Sequence, residues 1–461
     1  MLVVFTAACG AGSTDGMLDG APGDDASTDA DTERRDSRPG VVDGGPFDVD
    51  GGPFDVDGGP FDVDGGPLDA DGGGGSLDMD GGPLGVDGAP LDVDGGGGPL
   101  DVDGGPLDVD GGADGGPLDG GAAGGDGGAG APLLSLTASD METCAVRADG
   151  SLFRWGRFQL TPVQVGIDMD WATVSAGVSS SCALKRGGSL WCWGMNNAGQ
   201  LGNGTTDPTF TYAPDPARVM DGGALWTRIS VGGVHACAIR DDGALFCWGD
   251  NFVGELGDGT TTTHTTPVQV GTNLDWTFVS ASLSGNRTCC VRVGGLLYCW
   301  GAGVRSPMRV DARTDWARVR PDIYSTCSAR TDDTVWCDGA NWQGELGDGT
   351  TTPRSTPVQA GTILTSTGPD IAGSHTCAIA TSGTLYCWGD NAFGQLGDGT
   401  TTDRLSPTPI GTASDWALVA VGTYYTCGAR ADGSLYCWGS GTNGRLGTGS
   451  TASTSVPTRV W

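Results

Sequence analysis

The stretch His235-Ala-Cys-Ala-Ile-Arg-Asp-Asp-Gly-Ala-Leu-Phe-Cys-Trp-Gly249 decides the fold of this chain. It predicts two short strands, because small and apolar residues stand on either side of the turn sequence Asp241-Asp-Gly243. Glycine is the residue best suited to the left-handed position of a three-residue hairpin loop. If those three residues form the loop, Cys237 lies directly opposite Cys247.

This unit recurs along the chain. Its later part, Pro267-Val-Gln-Val-Gly271 and Trp276-Thr-Phe-Val-Ser280, predicts two further strands. Four short strands in a unit of roughly 47 residues are typical of a propeller blade. The first cysteine of the unit falls at Cys144, Cys182, Cys237, Cys289, Cys327, Cys377 and Cys427. The sequence therefore predicts an all-β fold, a seven-bladed β-propeller over residues 133–461.

The two ends of the repeat region predict that the ring closes. A Trp stands eleven residues before the first cysteine in several copies, as at Trp416. Leu133 holds that place in the first copy, and we assign Trp461, where the chain ends, to the same repeat position. We expect a closed ring with one blade shared between the two ends, which leaves no free sheet edge. An open solenoid would not need this complementarity.

A loop sequence carries a family resemblance. Trp388-Gly-Asp-Asn-Ala-Phe-Gly-Gln-Leu-Gly-Asp-Gly-Thr400 resembles the repeat of the regulator of chromosome condensation family, and five good copies carry it. The resemblance covers residues 133–461 and implies a seven-bladed propeller. The added cysteines and the acidic N-terminal region resemble secreted bacterial members. Nucleotide exchange on a small GTPase, known for the nuclear member, does not suit a secreted, disulfide-bonded chain.

The same loop is missing from two copies. Gly-x-Leu-Gly-x-Gly-Thr/Ser is present in copies two, three, five, six and seven and absent from copies one and four. Those two copies stand nearly opposite each other in a ring of seven. If the loops share one face, we expect two notches that form a groove across it.

Twelve of the 15 cysteines form pairs ten residues apart. Opposed residues of a hairpin lie within disulfide range, so we expect disulfides, with zinc sites or free buried thiols as alternatives. The expected pairs are Cys182/Cys192, Cys237/Cys247, Cys289/Cys299, Cys327/Cys337, Cys377/Cys387 and Cys427/Cys437. Arg154 replaces the second cysteine of the first copy, which leaves Cys144 alone, and Cys290 is also left over.

The region before the repeats is acidic and of low complexity. Residues 1–132 contain 28 Asp and one Glu against three Arg. Repeats such as Asp48-Val-Asp-Gly-Gly-Pro-Phe54 contain too little apolar surface to fold, so we expect a disordered stalk over residues 10–132. Weak attraction of Ca²⁺ to the Asp-x-Asp-Gly units is an alternative to a plain spacer.

The first nine residues resemble the end of a bacterial lipoprotein signal. A short apolar run ends in small residues before Cys9, which we predict to be lipidated. Thr6 stands where such signals usually have Leu, and no basic residue precedes the run. An ordinary cleaved signal or an accidental match are the alternatives, and the true start of the protein could lie upstream of Met1.

Aromatic and histidine residues follow the repeat. Twelve of the 15 Trp fall at two repeat positions, which predicts core packing; Trp191, Trp336 and Trp342 fall outside these positions. Phe252, Trp342 and Phe393 lie in the repeated loop and are weak candidates for ligand anchors. We expect structural hydrogen bonds from His235 and His375. We also expect turn geometry, rather than calcium binding, from Asp258, Asp348 and Asp398.

Function follows mainly from exclusion. The acidic charge disfavours nucleic acid, and the sequence shows no catalytic, metal or cofactor motif. We therefore predict a non-enzymatic scaffold, monomeric and secreted or held at the outer membrane or cell surface by a lipid anchor. Its loops would hold a protein or glycan. Inhibition of an extracellular enzyme is the alternative; a glycan-active enzyme is less favoured, since no sialidase-type Asp-box is present.

Overall fold

A computed structural model of the protein describes residues 131–461, apart from Ser284 and Ser366. Seven antiparallel sheets follow one another in this part of the chain, and each sheet takes four consecutive strands. The inner strand of each sheet contacts the inner strands of its two neighbours, and that of the last sheet contacts that of the first. The predicted seven-bladed propeller is confirmed. Cys9 and residues 10–130 of the predicted stalk lie outside the described residues.

Each blade runs from the central channel outward in chain order. The inner strands are β1 (Leu133–Ala138), β5 (Trp171–Ala176), β9 (Trp226–Val231), β13 (Trp276–Ala281), β17 (Trp316–Pro321), β21 (Pro369–Ala372) and β25 (Trp416–Gly422). The second strands are β2 (Glu142–Arg147), β6 (Ser180–Lys185), β10 (His235–Arg240), β14 (Arg287–Arg292), β18 (Ser325–Arg330), β22 (His375–Ile379) and β26 (Tyr425–Arg430).

The outer half of each blade completes the sheet. The third strands are β3 (Leu152–Gly156), β7 (Leu190–Gly194), β11 (Leu245–Gly249), β15 (Leu296–Gly301), β19 (Thr334–Gly339), β23 (Leu385–Gly389) and β27 (Leu435–Gly439). The outer strands are β4 (Gln159–Gln164), β8 (Ala213–Arg218), β12 (His264–Gln269), β16 (Val304–Arg309), β20 (Arg354–Leu364), β24 (Arg404–Pro409) and β28 (Thr454–Arg459). A 3-10 turn, Thr442–Gly444, precedes β28.

The hairpin between the second and third strands has the predicted register. Cys237 pairs with Cys247 across β10 and β11, and their Cα atoms lie 4.0 Å apart. Disulfides join the six expected pairs, Cys182–Cys192, Cys237–Cys247, Cys289–Cys299, Cys327–Cys337, Cys377–Cys387 and Cys427–Cys437. Cys144 faces Arg154 and Cys290 faces Tyr298. Both of these thiols are buried and free.

Thiol mapping tests this arrangement. Unfolding the purified chain without reductant and adding an alkylating reagent should label Cys144 and Cys290, whereas the twelve paired cysteines should be labelled only after reduction. Peptide mass spectrometry reads out both steps. A disulfide between Cys290 and Cys299, with Cys289 labelled, would contradict the register of the fourth blade.

Neighbouring blades are coupled through a tryptophan of the third strand. The Nε1–H of Trp388 donates to the carbonyl oxygen of Glu345, in the loop of the preceding blade, at 3.0 Å. Trp248 and Trp300 make the same bond to Gln200 and Glu255. A glycine of the loop must lie flat on the indole: at Gly347, with φ +71°, an added Cβ would stand 2.7 Å from Trp388 Nε1. Each of these loops is therefore shaped by the next blade.

The inner strands are also joined around the channel. At four of the seven blade boundaries, the side chain of the residue that faces the first cysteine accepts a hydrogen bond from a backbone N–H of the next inner strand. These bonds run from Ala176 to Thr137, Val231 to Ser175, Ala281 to Ser230 and Val421 to Asp370. The channel wall is thus bonded from blade to blade by side chains as well as packed.

The ends of the chain close the ring differently from our prediction. No blade is shared: β1 belongs to the first sheet and β28 to the last. Val460 is equivalent to Val270 of the third blade, but Trp461 follows Val460 directly, whereas glycine follows Val270. The repeat position that we predicted for Trp461 was therefore wrong. Blades one and seven are instead joined by packing between β1 and β25, by hydrogen bonds such as that between the Thr143 and Tyr425 hydroxyls at 2.7 Å, and by one side chain from the C-terminus.

That side chain is the indole of Trp461, which replaces the tryptophan missing at Leu133. It lies 4.4 Å from the Arg147 guanidinium and 5.6 Å from the Trp155 ring. In the seventh blade, Trp416 lies 5.0 Å from Arg430 and 5.9 Å from Trp438. The indole thus reaches the predicted environment from a different backbone position.

Replacing this indole should weaken the whole ring. We expect Trp461→Ala to lower the free energy of unfolding by about 2 kcal/mol, because the side chain is half-buried and a fully buried Trp is worth more. Urea unfolding followed by circular dichroism measures this. Trp342→Ala, the same change at an exposed position, is the control and should cost less than about 0.5 kcal/mol. Equal stability of the two variants would show that Trp461 does not close the ring.

Candidate functional site

The two faces of the propeller carry different connections. Because the strands of a blade alternate in direction, the turn after the inner strand and the connection before the outer strand lie on one face. We call this the long-loop face. The hairpins that carry the cysteines, and the links between blades, lie on the other, the hairpin face.

Loop length on the long-loop face varies as predicted. The third and outer strands are joined by two residues in blade one (157–158) and in blade four (302–303). The same connection has fourteen residues in blades three, five, six and seven and eighteen in blade two. Two gaps in the ring of loops therefore exist.

The gap beside blade one contains a side chain from blade two. Tyr212, at the end of the eighteen-residue loop of blade two, packs against the cluster that contains Trp193. Its hydroxyl donates to Glu142 at 3.0 Å, and the Arg157 guanidinium stacks 4.6 Å from its ring. This tyrosine therefore lies at the blade-one end of the predicted groove. The loop lengths agree with that groove, which stays a prediction across the whole face.

The second gap, which we call the notch, lies between blades four and five. Asp338 pairs with Thr326 in blade five, and Trp388 occupies the equivalent position in blade six. A carboxylate therefore replaces the tryptophan in the blade where no loop covers this position. Burial raises the pKa of Asp338 to about 6, although the positive charge of Arg287 on blade four opposes this. The base of the notch therefore holds a carboxyl group whose pKa is raised by burial.

Exposed aromatic side chains border this notch. Trp342, 60% exposed on the loop of blade five, makes an edge contact with Tyr324, their rings 5.6 Å apart. Phe252, 79% exposed, lies on the loop of blade three, on the other side of blade four. Phe393 pairs with Tyr424 at 5.3 Å further round the face. The three aromatic residues singled out in the sequence are thus all exposed on one face, and their role in binding remains a prediction.

The tyrosine partners of these anchors were not found from the sequence. Tyr324 and Tyr424 lie in turns after the inner strands, outside the repeated loop from which the candidates were chosen. A signal existed, because both precede the first cysteine by three residues, but only the fold shows that this turn meets the loop.

A buried acid lies next to the aromatic pair. Asp322 stands two residues before Tyr324 and is 1% exposed, and neither of its carboxylate oxygens has a hydrogen-bond partner among the described residues. Burial raises the pKa of Asp322 to about 7, and the negative charge of Glu345 adds to the rise. Nearby backbone amides offset only part of this.

This acid should make stability depend on pH. An ordinary aspartate of an unfolded chain titrates near 3.8, so the raised pKa of Asp322 favours folding below about pH 4, and this contribution is lost as pH rises through about 7. Asp322→Asn should therefore stabilise the protein at pH 8 by up to about 4 kcal/mol and change it little at pH 4. Urea unfolding at both pH values measures this. Asp241→Asn controls for the loss of a surface charge, and an Asp322→Asn variant no more stable at pH 8 than wild type would refute the assignment.

The histidines have structural roles. His235 and His375 are fully buried, and the Nε2 atom of each bonds a threonine hydroxyl of the next blade at 2.9 Å. Burial lowers the pKa of His235 to about 4 and that of His375 to about 3, so both are neutral at physiological pH. The expected hydrogen bonds are confirmed.

The loop aspartates also have structural roles, because they stabilise turns. Asp348 accepts a backbone hydrogen bond from Thr350 at 2.9 Å and forms an ion pair with Arg354 at 2.6 Å. Asp258 and Asp398 accept the same backbone bond from Thr260 and Thr400. Turn geometry therefore accounts for these three carboxylates. Within residues 131–461 as described, no three His, Cys, Asp or Glu side chains are arranged to hold a metal ion.

Two of the unassigned tryptophans belong to a third aromatic position. Trp191 and Trp336 precede the second cysteine of their blades, and Trp336 stacks 3.6 Å from the Arg330 guanidinium. The same position holds Phe153, Trp191, Phe246, Tyr298, Trp336, Tyr386 and Tyr436. The regularity was visible in the sequence, but the position holds three different residue types.

None of the helical segments in the described chain is long and apolar enough to cross a membrane.

Comparison with known families agrees with this architecture. The profile of the RCC1-like domain matches residues 174–461. The chain belongs to the RCC1-like domain family. The resemblance noted in the sequence to the regulator of chromosome condensation repeats is thereby confirmed.

Individual relatives of this RCC1-like chain are distant. The mitochondrial RCC1 domain-containing protein RUG3 of Arabidopsis thaliana is 27% identical over 189 residues, which covers 37% of this chain and 42% of RUG3. The ultraviolet-B receptor UVR8 of the same plant is 29% identical over 225 residues, covering 46% and 48%. The chain thus spans less than half the length of these curated relatives.

Solved structures show the same fold. Human WBSCR16 superposes with a TM-score of 0.57 at 17% identity, covering 66% of this chain and 84% of its own. Yeast RCC1 (Prp20) gives 0.59 at 15% identity, covering 74% and 90%. At these identities the likeness concerns the arrangement of blades and loops alone.

Proposed function

We propose that this RCC1-like propeller binds an extracellular protein through its long-loop face, at the notch between blades four and five. The observation that carries the proposal is the exposed pair Tyr324 and Trp342 beside that notch. Exposed aromatic pairs on a rigid face are typical anchors of protein interfaces. The flanking Phe252 and the polar base at Asp338 would complete an interface with an apolar rim and a charged centre.

The propeller of a relative supports binding rather than catalysis. Yeast Prp20 has been solved bound to Kap60, and its binding properties toward Gsp1p and histones are described. For this chain we infer the general role, a protein-interaction scaffold without enzymatic activity, and not those partners.

Disulfides support an oxidising location. Six disulfides in a chain of 461 residues are expected outside reducing compartments. We propose that the protein is secreted or held at the outer membrane or cell surface, with Cys9 as the lipid attachment site and residues 10–132 as a spacer. Metabolic labelling with a fatty acid, compared between wild type and Cys9→Ser, tests the anchor.

Replacing the aromatic pair should abolish binding at this face. Full-length protein and the Tyr324→Ser/Trp342→Ser variant are used to capture proteins from the culture medium and surface extract of the producing cells. A partner retained by wild type should bind the variant at least about tenfold more weakly, because central aromatic anchors are each worth about 2 kcal/mol or more. Biolayer interferometry with the purified partner measures the change.

Leu274→Ser is the matched control, since Leu274 is 56% exposed on the hairpin face. Equal loss of binding in that variant, or none in the aromatic variant, would contradict the proposed surface. Retention of polysaccharide alone would favour a glycan ligand over a protein. If the retained partner is an enzyme, its activity with and without the propeller decides whether binding inhibits it.

A further inference from the structure

A further distinctive feature lies in the central channel, at the end away from the long loops. The inner strands begin at the hairpin face, so the first residues of each strand surround that end. Arg228, Phe278, Arg318 and Leu418 occupy the same register position, each opposite the residue two after the first cysteine of its blade. They form one layer of side chains around the channel.

Blade six contributes no side chain to this layer. Its inner strand begins only at Pro369, and Gly368 with φ +80° takes the place. A Cβ at Gly368 would stand 2.9 Å from Arg318 Cδ, so the arginine side chain lies directly across the glycine. A cavity of about 220 Å³ lies here, and its lining includes Gly368, Phe278, Arg318, Arg320, Asp370 and Leu418.

The charge in this cavity is not balanced. Arg320 pairs with Asp370 at 3.3 Å, and the second oxygen of that carboxylate accepts the Val421 N–H at 2.9 Å. Arg228 and Arg318 form no ion pair and donate no hydrogen bond within the described chain. Burial, together with the positive charges of Arg228 and Arg320, lowers the pKa of Arg318. Two guanidinium groups, those of Arg318 and Arg320, thus line the cavity with one carboxylate, and the Arg228 guanidinium lies nearby, 5.9 Å from the Phe278 ring, in a domain that is acidic overall.

We propose that this cavity is a binding site for a small carboxylate with an apolar body. The guanidinium of Arg318 would hold the carboxylate through two parallel hydrogen bonds, and Arg228 and Arg320 would add attraction. Phe278 and Leu418 would contact the apolar part, and the volume suits a ligand no larger than a single ring with short substituents. This site is on the face opposite the proposed protein interface and does not depend on it.

Benzoate is the probe, with benzyl alcohol as its uncharged counterpart. Isothermal titration calorimetry of the full chain at low ionic strength should show benzoate binding with a Kd on the order of a millimolar or tighter, weakened by added salt. Benzyl alcohol should bind at least about tenfold more weakly, because it lacks the charge that the arginines recognise.

Variants locate the site. Arg318→Gln should weaken benzoate binding at least about tenfold, and Arg318→Lys less, since it keeps the charge but loses the two-point geometry. Arg228→Gln, on another blade, should weaken it as well and guards against a folding defect of the first variant. Arg218→Gln, on the exposed outer strand β8, removes the same charge elsewhere and should bind as wild type. Absence of benzoate binding by wild type, or equal binding by Arg318→Gln and Arg218→Gln, would overturn the proposal.

Discussion

The architecture depends on one repeated contact, a tryptophan of the third strand held under the loop of the preceding blade. At Trp388 the indole N–H bonds the loop carbonyl of Glu345, and Gly347 lies flat against the ring. The glycine contact recurs in all five long loops, whereas the indole hydrogen bond is made by Trp248, Trp300 and Trp388 but not by Trp155 or Trp438. The loop of blade five is also held from within, because Asn341 bonds Thr350, Thr352 and Leu346. The glycine contact explains why the loop needs glycine at that point, because any side chain would separate the loop from the indole.

The two short connections show what happens where this contact cannot form. Beside blade one, Tyr212 of the following blade packs against the cluster that contains Trp193 and bonds Glu142. Beside blade four, the tryptophan itself is replaced by Asp338, and Arg287 of blade four donates to the neighbouring Thr326. The aromatic pair Tyr324 and Trp342 is exposed on the blade that carries Asp338. One missing loop therefore shapes the proposed binding surface.

Much of this fold was predictable because the repeat is regular. The spacing of Cys237 and Cys247, with glycine in the turn, set the hairpin register and hence the disulfides. The closure of the ring was not predictable in detail, because the Trp461 side chain reaches its place from a backbone position that no other copy uses. Register alone could not show that Tyr212 would cross to a neighbouring blade.

The candidate sites were harder to foresee for the same reason. Trp342 was visible as an aromatic residue in a loop, but its partner Tyr324 lies in a different turn, and the two meet only in three dimensions. The arginine cavity required knowledge of which inner-strand residues face the channel and of the gap at Gly368. Such contacts between blades leave no spacing pattern within a single repeat.

Hydrogen exchange across one blade boundary tests the central contact most directly. The Trp388→Phe variant keeps an aromatic side chain but lacks the indole N–H. In this variant, the amides of residues 344–349 in the preceding blade should exchange roughly five- to tenfold faster than in wild type. Residues 394–399, in the loop of the substituted blade itself, should exchange as in wild type. Faster exchange in 394–399 with 344–349 unchanged would contradict the account, because it would mean that each loop is held by its own blade.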